Sequence, residues 1–173
     1  MRWLPFQLNP DIPEAGIPRE EYVARKFGAR GKGVNERVVM TGRQVGIEFA
    51  YDKMKVQPNT LNTHRLMLYA ERMGNQDVLA EELFRAHFTE GAVLAEAATL
   101  ADIAARAGLD RKAVADYLAS DEDRAAVERA DVEARNAGIG GVPFFIFNRS
   151  IGVSGAQNPE TLLGAMEQAL QES

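Results

Sequence analysis

The residues best suited to chemistry are scarce in this chain, and one type is missing altogether: the 173 residues contain no cysteine. They can build no thiolate nucleophile, no disulfide and no Cys-ligated metal site. Only two histidines are present, His64 and His87. A zinc site takes roughly three or four good ligands, so no metal is expected. Gly140-Gly141-Val142-Pro143 opens an apolar run, and Ser154-Gly155-Ala156-Gln157 follows the strand-like stretch after it. On residue types alone Pro143 reads as a trans proline at a strand's first position, where its missing N–H is tolerated. The rarer alternative is a cis X–Pro bond fixed by its surroundings. His64 lies among Leu61, Leu66, Met67 and Leu68, where a lone imidazole is more often a hydrogen-bonded structural residue than a ligand. A further pattern, Leu100 to Val114 with Gly108 at its turn, has helix-turn-helix spacing. Its second helix offsets Arg111 and Lys112 with Asp110 and Asp116, as a recognition helix would not.

The elements that must position these residues can be read from periodicity. Leu4, Phe6 and Leu8 alternate, so Arg2 to Leu8 is expected to be a strand, with Pro5 placing it at an edge. A loop rich in proline and glycine runs from Asn9 to Ile17. Apolar spacing of three and four then predicts helices at about Pro18 to Phe27, Asn35 to Tyr51, Thr60 to Met73, Gln76 to Phe88, Leu100 to Ala107, Arg111 to Ala119 and Asp121 to Ala137. Cap candidates are Asn59 or Thr60, Asn75, Thr99 with Asp102 as a capping box, Asp110 and Ser120. After Gly138-Ile139-Gly140-Gly141 the pattern changes. Val142 to Phe147 is continuously apolar, as in a strand buried on both faces. Asn148-Arg149 predicts a tight turn into Ser150 to Ser154, and Asn158-Pro159-Glu160 starts a last helix through about Leu170.

Composition narrows the function classes. The content is 46% hydrophobic and 26% charged with a net charge of −5, an ordinary globular balance that disfavours a nucleic-acid partner, because phosphates are neutralised by Lys and Arg. No run of about 18 apolar residues and no signal-like start is present, so neither a membrane span nor export is expected, and the expected location is cytoplasmic.

A strand, a helical block, a hairpin and a final helix make the order of a thioredoxin fold interrupted by helices. Arg2 to Pro10, Pro58 to Leu66, Ala104 to Leu109, Gly140 to Phe147 and Val153 to Gln157 together resemble the DsbA family, in particular its FrnE-like members. Those are relatives of 2-hydroxychromene-2-carboxylate isomerase and kappa-class glutathione transferase. The resemblance implies an α/β, thioredoxin-like fold, truncated at its N-terminus, formed by residues 1–17 and 138–173, with an all-helical domain at 18–137. It implies a disulfide oxidoreductase or isomerase relative that is redox-inactive here, since the family's first strand and the helix bearing Cys-x-x-Cys have no counterpart in these residues. The catalytic set is then empty. The implied substrate-binding set is Gly141, Val142, Pro143, His64, Ser154 and Gln157, with Val142-Pro143 matching the family's cis-proline. Ser154 to Gln157 matches a loop that holds the γ-glutamyl end of glutathione in the relatives. Gln157 stands where they usually carry an acid, so a plain turn into a helix suits it better. A peptide or thiol substrate is the implied partner, with glutathione as the cofactor that the resemblance admits. A glutathione-dependent isomerase or transferase is the alternative reading, and a helix-turn-helix DNA-binding protein a third. Without the family's first strand, Phe144 and Ile146 would be uncovered. Either Arg2 to Leu8 pairs directly with Phe144 to Phe147, or a second copy covers the surface in a homodimer.

Overall fold

The computed structural model describes residues 1–28, 33 and 35–172. In chain order it contains β1 (Ile17–Pro18), α1 (Arg19–Phe27), α2 (Glu36–Gln44), β2 (Val56–Gln57), α3 (Leu61–Arg72) and α4 (Gln76–Arg85). One turn of π-helix (Ala86–Glu90) follows, then α5 (Ala97–Arg106), α6 (Arg111–Ala119), α7 (Arg124–Asn136), β3 (Phe144–Phe147), β4 (Ile151–Ser154) and α8 (Pro159–Gln171). The chain divides into two compact units, Met1–Val127 and Glu128–Ser173. Most of the break expected between the first two helices, Gly28 to Gly33, lies outside the described residues.

The core of the first unit is helical. Leu66 and Ala70 of α3, Leu79 and Leu83 of α4, Leu100 and Ala104 of α5, and Val114 and Leu118 of α6 form one buried cluster. The turn between α5 and α6 is closed by Gly108, whose φ of 85° is free of strain only without a side chain. Leu109 N–H donates back to Ala104 O at 3.0 Å and Gly108 N–H to Ala105 O at 3.0 Å, satisfying carbonyls that α5 leaves open. Asp110 caps α6, its Oδ1 accepting from Ala113 N–H at 2.6 Å. Thr99 does not cap α5. That helix begins two residues earlier, at Ala97, and Thr99 Oγ1 donates to Glu96 Oε2 at 3.2 Å. Ser120 ends α6 instead of capping α7, and Asn75 makes no cap bond but donates to Ala107 O at 2.9 Å.

The expected strand at Arg2 to Leu8 does not form: among the described residues the two sheets join β1 to β2 and β3 to β4 only. A different pairing takes up the backbone groups of Trp3. Trp3 N–H donates to Gln76 Oε1 at 2.9 Å, and Gln76 Nε2 donates to Trp3 O at 3.0 Å. A side-chain amide thus reproduces a ladder pair, while Pro5 has no N–H to extend it. Trp3 Nε1 also donates to Asp77 Oδ1 at 2.6 Å, and its ring meets Phe84 edge-on at 6.0 Å. The segment is therefore fastened to α4. α2 ends at Gln44 and does not reach Tyr51 as expected; Gly46 with φ 79° turns the chain away.

In the second unit β3 and β4 pair antiparallel, Phe144 opposite Ser154 through Phe147 opposite Ile151. Asn148 and Arg149 both have positive φ (48° and 61°), and Ser150 N–H donates to Phe147 O at 3.1 Å. Those are the marks of a type I′ hairpin turn, whose twist matches that of the strands. Asn158 caps α8 through Thr161 N–H at 2.9 Å, with Pro159 at the first helical position. β3 is not buried on both faces as its apolar run suggested; Ile146 is 48% exposed, because β4 is its single strand neighbour.

Candidate functional site

Five of the six residues singled out from sequence are brought together at the base of the β3–β4 hairpin. The Val142-Pro143 peptide bond is cis. Gly155 N–H donates to Pro143 O at 2.8 Å, so the loop before β3 and the loop after β4 form one edge. Ser154 lies opposite Phe144 in the register. Gln157 Nε2 donates to Ser154 O at 2.8 Å, and a glutamine used in this way supports the turn before α8. Gly155 has φ 83°, which favours glycine at the crossing point. Val142, Pro143, Ser154 and Gln157 are exposed and Gly141 is half-buried. The arrangement offers a rim of accessible backbone with one hydroxyl and one amide, and no carboxylate lies among its residues.

His64 belongs to the first unit, half-buried on the first turn of α3, its N–H donating to Thr60 O at 2.9 Å. Its neighbour Arg65 is the most heavily bonded side chain of that helix and only 1% exposed. Nε donates to Glu122 O at 2.7 Å. Nη1 donates to Asn62 Oδ1 at 2.8 Å and Leu118 O at 3.3 Å, and Nη2 to Ser120 O at 2.6 Å and Tyr117 O at 3.1 Å. The signal that could have found it is an arginine between Leu61 and Leu66, where a helix's apolar stripe should run. Tyr117 Oη lies 2.7 Å from Asp123 Oδ2 and 2.8 Å from Arg65 O. Burial, reinforced by the Asp123 carboxylate, pushes the Tyr117 phenol well above its ordinary pKa. For Asp123, burial acts upward, but hydrogen bonds from Tyr117 and Arg72 outweigh it and hold the carboxyl below its ordinary value.

His87 lies on the π-helical turn, buried, with Nδ1 3.4 Å from Ala92 O and its ring edge-on to Phe88 at 4.8 Å. Burial lowers its pKa below the ordinary histidine value; the Ala92 carbonyl opposes this and the charge of Arg19 adds to it. Since the unfolded chain then binds more protons, stability contributed by neutral His87 is present above about pH 6.5 and lost as pH falls through the folded-state value. A pH series of urea midpoints should fall between neutral and about pH 5. His87→Phe should flatten that slope, and an unchanged slope would refute the assignment.

The helix-turn-helix pattern at α5 and α6 has its basic residues engaged: Arg111 Nε is 2.5 Å from Asp102 Oδ1, and Lys112 Nζ is 2.6 Å from Asp116 Oδ2. Among the described residues no three His, Asp or Glu side chains cluster as a metal site, and no helix is long and apolar enough to cross a membrane.

A hairpin entered through a cis-proline and followed by a capped helix, in a chain whose other unit is helical, defines a thioredoxin-like α/β protein of the DsbA type. The chain belongs to the DSBA-like thioredoxin domain family, whose model matches residues 1–167. Among solved structures it is similar to a probable DsbA oxidoreductase from Streptomyces coelicolor, with a TM-score of 0.87 and 26% identity over 97% of this chain and 74% of that one. No curated protein sequence matches it.

Proposed function

We propose that this chain is a redox-inactive, FrnE-like member of the DsbA family that retains a peptide- or thiol-substrate-binding edge at Gly141–Pro143 and Ser154–Gln157. The observation that carries the redox half is the absence of cysteine from all 173 residues. Dithiol exchange begins with a thiolate attacking a disulfide sulfur, and no residue here can supply one. The binding half is supported by the exposed backbone around Pro143 and by the bond that ties it to Gly155. An extended peptide can pair with such an edge through main-chain hydrogen bonds. The absence of an acid at Gln157 disfavours glutathione, whose ammonium group would need one, so the glutathione-dependent isomerase reading ranks below peptide binding. The paired charges of Arg111 and Lys112 likewise weigh against DNA.

The test has two arms. Insulin reduction and thiol oxidation should show no turnover above buffer, and turnover that persists after contaminating thiol proteins are removed would overturn the redox half. Titration with an extended cysteine-containing peptide should shift the amide resonances of Gly141, Phe144 and Gly155, with glutathione giving smaller shifts. A binding edge elsewhere would leave those three amides unmoved.

A further inference from the structure

Arg19, the first residue of α1, carries its charge without a carboxylate to answer it. Its backbone N–H donates to Lys55 O at 2.9 Å, continuing the β1–β2 ladder by one residue, and its Nη1 donates to Gln57 Oε1. The guanidinium carbon lies 5.9 Å from the centre of the Tyr22 ring and 5.7 Å from that of Tyr51. Arg19 is half-buried and forms no ion pair among the described residues. An arginine drawn out of water is ordinarily paired, because a full charge and five N–H donors lose hydration together. Glu20 and Glu21 follow at i+1 and i+2, off the face that Arg19 shares with Tyr22, and Glu21 pairs with Arg25 at 3.6 Å. Lys26, at i+7 on that face, donates from Nζ to Tyr22 Oη at 2.7 Å, so the Tyr22 hydroxyl keeps its own proton to donate. Tyr51 Oη has no hydrogen-bond partner among the described residues. The π-helical turn backs the same group: Ala50 N–H donates to Phe88 O at 2.8 Å, and the Phe88 ring stands edge-on to Tyr51 at 6.3 Å. Single π-helical turns recur at functional sites.

We infer that Arg19, Tyr22 and Tyr51 form a binding site for the oxyanion of a small ligand, a carboxylate or phosphate group, received by the uncommitted guanidinium N–H groups and the two hydroxyls. Gln57 and the two rings hold the planar fork before the ligand arrives, so little side-chain freedom is lost on binding. Lys26, Lys53 and Lys55, exposed and without ion pairs among the described residues, add attraction at longer range. A single-stranded nucleic acid fits less well. It would need open ring faces on which to stack bases, whereas the Tyr51 ring already carries Arg19 and the stacked Phe49 at 5.4 Å. The site lies wholly within the unit Met1–Val127 and is independent of the peptide-binding reading.

The test is an NMR titration of the full chain with inorganic phosphate, and separately with benzoate, at low salt where the Debye length exceeds about 10 Å. The Nε–H resonance of Arg19 and the amides of Arg19, Tyr51 and Gln57 should shift and saturate. Saturation by one anion alone supports the site and names its group. Arg19→Gln should weaken binding about tenfold or more, since a charge-assisted hydrogen bond is lost, and Arg19→Lys should restore only part of it, because a point charge replaces the fork. If Arg19→Gln loses its helical circular dichroism, Tyr22→Phe with Tyr51→Phe replaces it. That pair keeps both rings, removes only the hydroxyls and should also weaken binding about tenfold. Shifts that fail to saturate with either anion, saturable binding that a folded Arg19→Gln retains, or shifts spread evenly over Lys53, Lys55 and Arg37 would each overturn the proposal. Binding of a single-stranded oligonucleotide without binding of either small anion would overturn it as well.

Discussion

Replacing Arg65 by methionine should lower the stability of the helical unit by about 3 to 5 kcal/mol, a large share of what a domain of this size possesses. The last turn of any helix leaves carbonyls without intrahelical donors. At the end of α6 the carbonyls of Tyr117 and Leu118, with those of Ser120 and Glu122 just beyond, are taken by one guanidinium. Its charge also sits at the negative end of the helix dipole and lies 5.1 Å from the centre of the Tyr117 ring. Methionine keeps the packed stem and removes the guanidinium donors. Tyr117 O keeps its bonds from the Ser120 N–H and Oγ, but the carbonyls of Leu118, Ser120 and Glu122 lose the guanidinium. Each unpaired group costs about 1 to 3 kcal/mol, with relaxation making the sum less than additive. Arg65→Lys should recover only part of the loss, since one ammonium cannot reach as many directions as the planar fork. Urea unfolding followed by the fluorescence of Trp3, the sole tryptophan and part of the same unit, measures it. A loss under about 1 kcal/mol for the methionine variant would show that the carbonyls find other partners.

Leu100→Ala should destabilise the same unit by about 3 to 5 kcal/mol. Leu100 is fully buried in the cluster of α3, α4, α5 and α6, together with Leu66, Leu79 and Val114, which are also inaccessible to solvent. Loss of its isobutyl group removes transfer energy and leaves a cavity that four mutually packed helices close only in part. Leu100→Met, which conserves volume, should cost less than about 1.5 kcal/mol. Equal midpoints for the alanine and methionine variants would mean that the site collapses freely. The position matters for function as well, because it assigns the helix-turn-helix spacing of Leu100 to Val114 to the packing of one core. The same periodicity that a DNA reader needs is generated whenever two helices bury one face each across a glycine turn.

Local chemistry was legible wherever one residue type has a single physical use. Asp110 and Asn158 cap helices because a short oxygen-bearing side chain can reach a free N–H. Asn148-Arg149 was expected to be a tight turn, and asparagine's tolerance of positive φ helps explain the conformation it adopts. Thr99 marks the limit of such local rules. A capping-box spacing inside a helix looks the same as one at its start, and the true start at Ala97 depends on the buried neighbours of Leu100. The alternation of Leu4, Phe6 and Leu8 likewise describes one face of an extended chain without saying what satisfies its backbone.

What the sequence by itself determined, beyond the resemblance that points to the family, is the order of the helices, the hairpin and its turn, and the absence of any thiol with which to do redox chemistry. These follow from periodicity, from backbone preferences of single residues and from composition, all of which act over a few residues or none. Only the tertiary structure decided that Trp3, within Arg2 to Leu8, bonds to Gln76 and not to a strand, and that Arg65 closes the end of α6 some fifty residues away. It also decided that β3 and α8 keep apolar side chains in solvent. Each of those outcomes turns on which distant backbone groups and surfaces find partners, a competition among alternatives of similar local energy that is resolved when the chain packs.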